Sequence, residues 1–260
     1  MKLFDSHCHL DDRAFDKDLD DVVRRMHAAG VASAMTIGTT LDRCAKGVAI
    51  AESTPGVYAA VGIHPHDAKS CDEDVLKTLV DLAASPGVRA WGEIGLDFNR
   101  MYSPRDVQEK WLIRQLEVSE ALNLPALFHE RDSNGRLIDI LKSNFASGRT
   151  GVVHCFSGSE AELKQYLDLG LFIGITGIVT IKGRGEALRK MVPSIPLDRI
   201  LIETDAPYLT PTPERNHTQR NEPAFVRSVL LKLAEVRCQD PVLVSETLWD
   251  NTCRLYGVES

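Results

Sequence analysis

Short apolar runs alternate with longer amphipathic ones along the whole chain. Runs rich in Val, Ile and Leu predict strands over 3–5, 31–37, 57–63, 88–94, 125–129, 151–154, 171–175 and 199–203. Between them, apolar residues recur near a 3.6 period. Leu19, Val22, Val23 and Met26 mark a helix over 16–29, and Trp111, Leu112, Leu116 and Ala121 the inner side of one over 105–122. Further helices are expected over 41–53, 72–84, 136–144, 161–169 and 186–192, with two closing ones over 224–237 and 242–256. Gly30, Pro55-Gly56 and Ser85-Pro86-Gly87 supply stops. Loops are expected over 95–104 and over 206–223, the latter with four prolines.

Strand then helix, repeated eight times with short links, predicts an α/β fold. Several strands are apolar without strict alternation, as when both faces are covered. Eight units in 260 residues suit a (β/α)8 TIM barrel, one domain over 1–260. The runner-up is an open doubly wound sheet. Against it, His7-Cys8-His9 follows the first strand where a glycine-rich dinucleotide turn would stand. No fixed-period repeat or low-complexity segment interrupts the pattern.

Composition narrows the class. No apolar run is long enough for a membrane span. The start places Asp5 and His7 where an export signal would need an apolar core, so the expectation is a cytoplasmic protein. The six cysteines form no CxxC pair and are expected as reduced thiols, with Cys8 and Cys155 the two that adjoin histidines. A net charge of −7 argues against a non-specific nucleic-acid coat, not against an enzyme that grips a few phosphates.

The chemistry collects where strands end, the rim at which barrels place their active sites. Five of the eight histidines, at 7, 9, 64, 129 and 154, close predicted strands. His7 and His9, two apart in an extended segment, point to one side and can share a cation. Glu93 ends an apolar run, where an unpaired carboxylate would be expensive, and its two oxygens can each face a cation. His129 and His154 end consecutive strands. Asp205 lies in Glu203-Thr204-Asp205-Ala206-Pro207 and could bind metal and accept a proton from water. Glu203 is expected in a salt bridge or behind the ligands. His64 could orient substrate, and His66 is read as loop. The set His7, His9, Glu93, His129, His154 and Asp205 offers mixed N and O donors, enough for two divalent ions. No Gly-x-Ser-x-Gly elbow or Walker loop competes, so hydrolysis by metal-activated water is the economical reading.

For substrate, Arg100, Arg131, Lys182, Arg184, Arg215 and Arg220 lie in expected loops and could form a local basic collar for a phosphodiester, Arg131 foremost. Tyr102, Phe98 and Tyr208 could stack on bases or anchor loops.

With these residues in view, the chain resembles the TatD family of metal-dependent deoxyribonucleases over essentially its full length. The likeness rests on Asp5-Ser-His-Cys-His-Leu10, Gly62-Ile-His-Pro-His66, Gly92-Glu-Ile-Gly-Leu-Asp97, His129-x-Arg-Asp132, His154-Cys-Phe-Ser-Gly158, Gly174-Ile-Thr-Gly177, Glu203-Thr-Asp-Ala-Pro-Tyr-Leu209 and Arg220-Asn-Glu-Pro223, in order. The resemblance implies that His7, His9, Glu93 and Asp205 hold one ion, that His129 and His154 complete a second, and that Glu93 bridges. It implies Asp205 as proton acceptor, magnesium as the usual ion with manganese or zinc compatible, and 3′ to 5′ exonuclease action on DNA, in repair or breakdown. DNA, single-stranded or at 3′ ends, is the implied partner, RNA an additional one; the chain is expected as a monomer off the membrane. Glu130 departs from the family's small or thiol residue and is expected to point away from the metals. The alternatives are a hydrolase of an amide, lactone or acyl ester on the same barrel, and a non-catalytic metal- or nucleic-acid-binding protein.

Overall fold

The computed structural model describes residues 1–259. The eight expected strands form one sheet in which each neighbours the next in sequence, and the chain has the (β/α)8 barrel fold. It divides into two compact units, one of residues 1–36 with 173 onward, the other of residues 37–172.

In the first unit, β1 (Leu3–Cys8) pairs in parallel with β2 (Val31–Ile37), and β7 (Phe172–Ile175) with β8 (Ile200–Ile202). β1 runs three residues past the expected end because its polar residues are buried with partners. Ser6 Oγ donates to Ile202 O, and Tyr256 Oη donates to Ser6 O. The helices of this unit are α1 (Leu19–Ala28), α7 (Glu186–Met191), α8 (Val226–Arg237) and α9 (Pro241–Tyr256). Phe4 anchors α9, with its ring centroid 5.8 Å from Trp249 and 5.9 Å from Tyr256. α1 starts later than the sequence suggests, after a single 3-10 turn at Arg13–Phe15. The Asp18 carboxylate caps no N–H; Arg220 and Arg25 hold it instead.

In the second unit, β3 (Val57–Val61), β4 (Val88–Asp97), β5 (Ala126–Arg131) and β6 (Gly151–Val153) pair in parallel in that order. Its helices are α2 (Leu41–Ser53), α3 (Glu73–Leu82), α4 (Arg105–Ala121), α5 (Arg136–Asn144) and α6 (Glu160–Asp168). Side chains of Thr40 and Asp72 cap α2 and α3, and Ser159 with Glu162 closes a reciprocal cap on α6.

The main correction concerns β4. The stretch 95–97, expected as loop, continues the strand, paired Gly95↔His129, Leu96↔Glu130 and Asp97↔Arg131. Gly95 lies at φ 148°, where a Cβ would overlap the His129 carbonyl, so the glycine permits close approach of two strands. β5 correspondingly runs two residues past His129. On α4 the inner side includes Gln108 and Gln115 alongside Trp111, Leu112 and Leu116, whereas Ala121 is exposed. No helix among the described residues is long and apolar enough to cross a membrane.

Candidate metal centre

Each unit carries a set of donors at the C-terminal ends of its strands. In the first, β1 delivers His7 and the turn after it His9, with ring centroids 5.1 Å apart. Both aim Nε2 at the same oxygen, Oδ1 of Asp205, at 3.9 and 3.4 Å. Backbone hydrogen bonds fix this meeting: Asp205 N–H donates to His7 O at 2.9 Å, and His9 N–H to Ala206 O at 2.7 Å. Asp205 itself sits at φ 59°, a left-handed conformation held by those bonds and by Tyr208 N–H donating to its carbonyl.

Behind this set lie two buried carboxylates. Asp5 accepts from Thr204 N–H at 2.8 Å and from the Thr204 hydroxyl at 2.5 Å. Burial pushes its carboxyl up to about 8, against the pull of those bonds. Glu203 is buried over Gly174, where a Cβ would come within 2.6 Å of its oxygens. Cys8 turns the opposite way from the histidines, its thiol against Met35 O at 3.3 Å, and burial pushes that thiol well above its usual range.

In the second unit Glu93 is the hub. Its Oε1 lies 2.8 Å from His129 Nδ1, 3.7 Å from His64 Nε2 and 4.0 Å from His154 Nε2. His64 Nδ1 accepts the His66 N–H at 3.0 Å, so the ring proton belongs on Nε2, making it a donor to an incoming acceptor. His129 Nε2 meets Asp97 Oδ2 at 3.2 Å. Burial is the largest influence on His129 and opposes its charge. The hydrogen bonds from Asp97 and Glu93 outweigh it and lift the ring to about 9.

Two participants escaped the sequence reading. Asp97 is buried, and His66, expected as loop, binds it through Nε2 at 2.6 Å. Burial would raise the Asp97 carboxyl, but donation from His129, His66 and the Arg100 N–H holds it far below the usual carboxylate range. One signal pointed there: Asp97 follows Glu93 by four residues, on the same side of a strand that does not stop at Gly95.

The expected substrate contacts divide. Arg131 is exposed, and its guanidinium makes no ion pair among the described residues. Tyr102 is exposed, its ring edge-on to His66 at 4.9 Å. Tyr208 donates its hydroxyl to Asp12 at 3.0 Å. Phe98 lies under Arg105, 4.5 Å from centroid to guanidinium. Arg220 is bound up with Asp18 at 2.7 Å, Glu222 at 2.9 Å and Ala14 O at 2.8 Å, tying the proline-rich loop to α1. Glu130 accepts from Ser133 N–H at 2.9 Å, a turn contact before α5.

The donor chemistry fits divalent cations. Buried imidazoles crowd single carboxylate oxygens in both sets, and N and O donors together suit zinc, manganese or magnesium.

A family model described as TatD related DNase matches residues 4–257. A protein of Rahnella sp. named 3′-5′ ssDNA/RNA exonuclease TatD is 39% identical over 261 residues, covering 99% of each chain. One of the same name from Escherichia fergusonii is 38% identical over 259 residues, covering 98% of this chain and 99% of its own. Among solved structures, a TatD homolog from Escherichia coli K12 superposes with a TM-score of 0.89 at 30% identity, covering 99% of this chain and 98% of its own.

Proposed function

Because the chain belongs to the TatD-related DNase family, we propose that it hydrolyses phosphodiester bonds of DNA as a metal-dependent exonuclease, working 3′ to 5′ on single strands and accepting RNA as well. The observation that carries the reading is Glu93, one buried carboxylate oxygen among three imidazoles in a chain of this family. In this reading His7, His9, Glu93 and Asp205 would hold one divalent ion, and Glu93, His129 and His154 a second. Magnesium is the favoured pair, and manganese and zinc suit the same donors. Such ions supply Lewis acidity, acidifying water and offsetting charge on a phosphodiester.

The chain's own groups divide the rest of the work. Asp205, partly open to solvent and held in place through its backbone, takes the proton from water. His64 offers its Nε2–H to a non-bridging phosphate oxygen. Arg131, two residues beyond His129 on the same side of β5, grips the phosphate as a fork. Tyr102 provides an aromatic face for a base, and Glu203 supports the ligands from behind. Arg220 contributes to substrate through the loop it fastens. Residues 1–260 act as one catalytic domain. A monomeric, cytoplasmic enzyme completes the reading; six thiols with no disulfide among the described residues suit a reducing compartment.

The deciding experiment strips the protein of metal, adds back Mg²⁺, Mn²⁺ or Zn²⁺, and follows end-labelled single-stranded DNA, duplex DNA and RNA. Mononucleotides released stepwise from the 3′ end, only with metal, are expected. Inertness toward all three with every ion, alongside turnover of an amide or lactone, would overturn the assignment.

A further inference from the structure

The Asp97 carboxylate is completely engaged, and what engages it defines a job. Oδ1 accepts the backbone N–H groups of Asn99 at 3.0 Å and Arg100 at 2.7 Å. Oδ2 faces two imidazole nitrogens, His66 Nε2 at 2.6 Å and His129 Nε2 at 3.2 Å. Its main chain is clamped as well: Asp97 N–H donates to Gln108 Oε1 at 2.8 Å, and Gln108 Nε2 donates to Asp97 O at 3.1 Å and Ser103 O at 2.8 Å. A carboxylate accepts only, so both rings must present N–H to it. With four donors on its two oxygens, Asp97 has no lone pair to offer elsewhere.

We propose that Asp97 is a positioning residue for metal uptake: by taking the Nε2–H of His129 it leaves Nδ1, the nitrogen facing Glu93, as the ring's donor to a divalent ion. The inference rests on the reading above, in which His129 is a ligand. A carboxylate behind a ligating histidine fixes its tautomer and orientation and raises its basicity. His66 shares the same oxygen and carries the edge of Tyr102, so the base-facing aromatic and the ligand hang from one anchor. The competing account makes Asp97 a turn clamp alone, serving the N–H groups of residues 99 and 100.

Asp97→Asn separates the two. The amide keeps one oxygen for the turn and turns its NH₂ toward the imidazoles. His129 must then accept at Nε2 and carry its proton on Nδ1, against the ion. Titration calorimetry of Mn²⁺ and Zn²⁺ into stripped protein should show affinity about 10–100-fold weaker than wild type at one site, in a variant whose circular dichroism shows it folded at the titration temperature. In Zn²⁺-loaded wild type, ¹⁵N NMR should show His129 protonated at Nε2 and coordinated through Nδ1, a readout independent of how well the variant folds. Equal affinity in a folded variant, or coordination through Nε2, overturns the proposal. Wild-type protein that takes up no divalent ion would instead overturn the metal reading beneath it.

Discussion

At the scale of single residues, two carboxylates and one guanidinium have separable consequences. Glu93→Ala removes the oxygen that three imidazoles surround, so turnover should fall to background and bound metal, measured by atomic emission, should drop. Asp205→Asn should lower kcat by about 10²–10⁴-fold, the range for losing a proton acceptor, with circular dichroism unchanged. Arg131→Ala should leave metal content alone and weaken kcat/KM on DNA by about 10–100-fold, the worth of about 1.5–3 kcal/mol for a charged hydrogen bond. Equal loss of metal would remove Arg131 from the substrate side. The clustered histidines were readable because they gather at or just past the ends of short apolar runs, where a polar residue needs explaining. Asp97 and Gln108 were not readable, because the glycine before Asp97 imitates a stop and a glutamine on a helix looks like surface.

Among the elements, α4 shows how polar groups can be core. Gln108 closes three backbone positions near Asp97, so Gln108→Leu strands one N–H and two carbonyls and should cost roughly 3 kcal/mol or more in urea unfolding. Hydrophobic periodicity places α4 correctly but misses this side of it, since period counting scores only apolar residues. The proline-rich loop depends on a different device, the Arg220 clamp. Hydrogen bonding from Arg220, the strongest influence, draws Asp18 down to about 2, below its unfolded value of 3.8. A lowered acid stabilises the fold above its unfolded value and loses that contribution as pH falls toward the folded one. The stability gap between wild type and Arg220→Ala should therefore be full near neutrality and shrink between about pH 4 and pH 2. A gap that stays constant through that window would show the clamp is not electrostatic.

For the whole molecule, the order of strands and helices was legible because the chain repeats one strand-then-helix pattern eight times. The sequence could not show where each strand ends: β1, β4 and β5 run past their apolar stretches, whereas β3 stops two residues short of its own. Metal should also act on the whole. An ion that binds only the folded chain at about 100 times its Kd adds about 2.7 kcal/mol of stability. Adding Mn²⁺ to stripped protein should raise Tm by several degrees, and a chelator should reverse it; in Glu93→Ala the rise should largely vanish.

The joint extension of β4 and β5 has a consequence for how the chain tolerates change in length. Asp97, His129 and Arg131 keep their spacing by rungs between neighbouring backbones, as marks on a ruler, and every second mark faces the same way. One residue inserted at position 96 would turn Asp97 away from His129 and silence the protein without unfolding it. Several residues inserted beyond Arg100, past the last rung, should leave the ruler intact, so new substrate preferences can be grafted there while the chemistry stays in place.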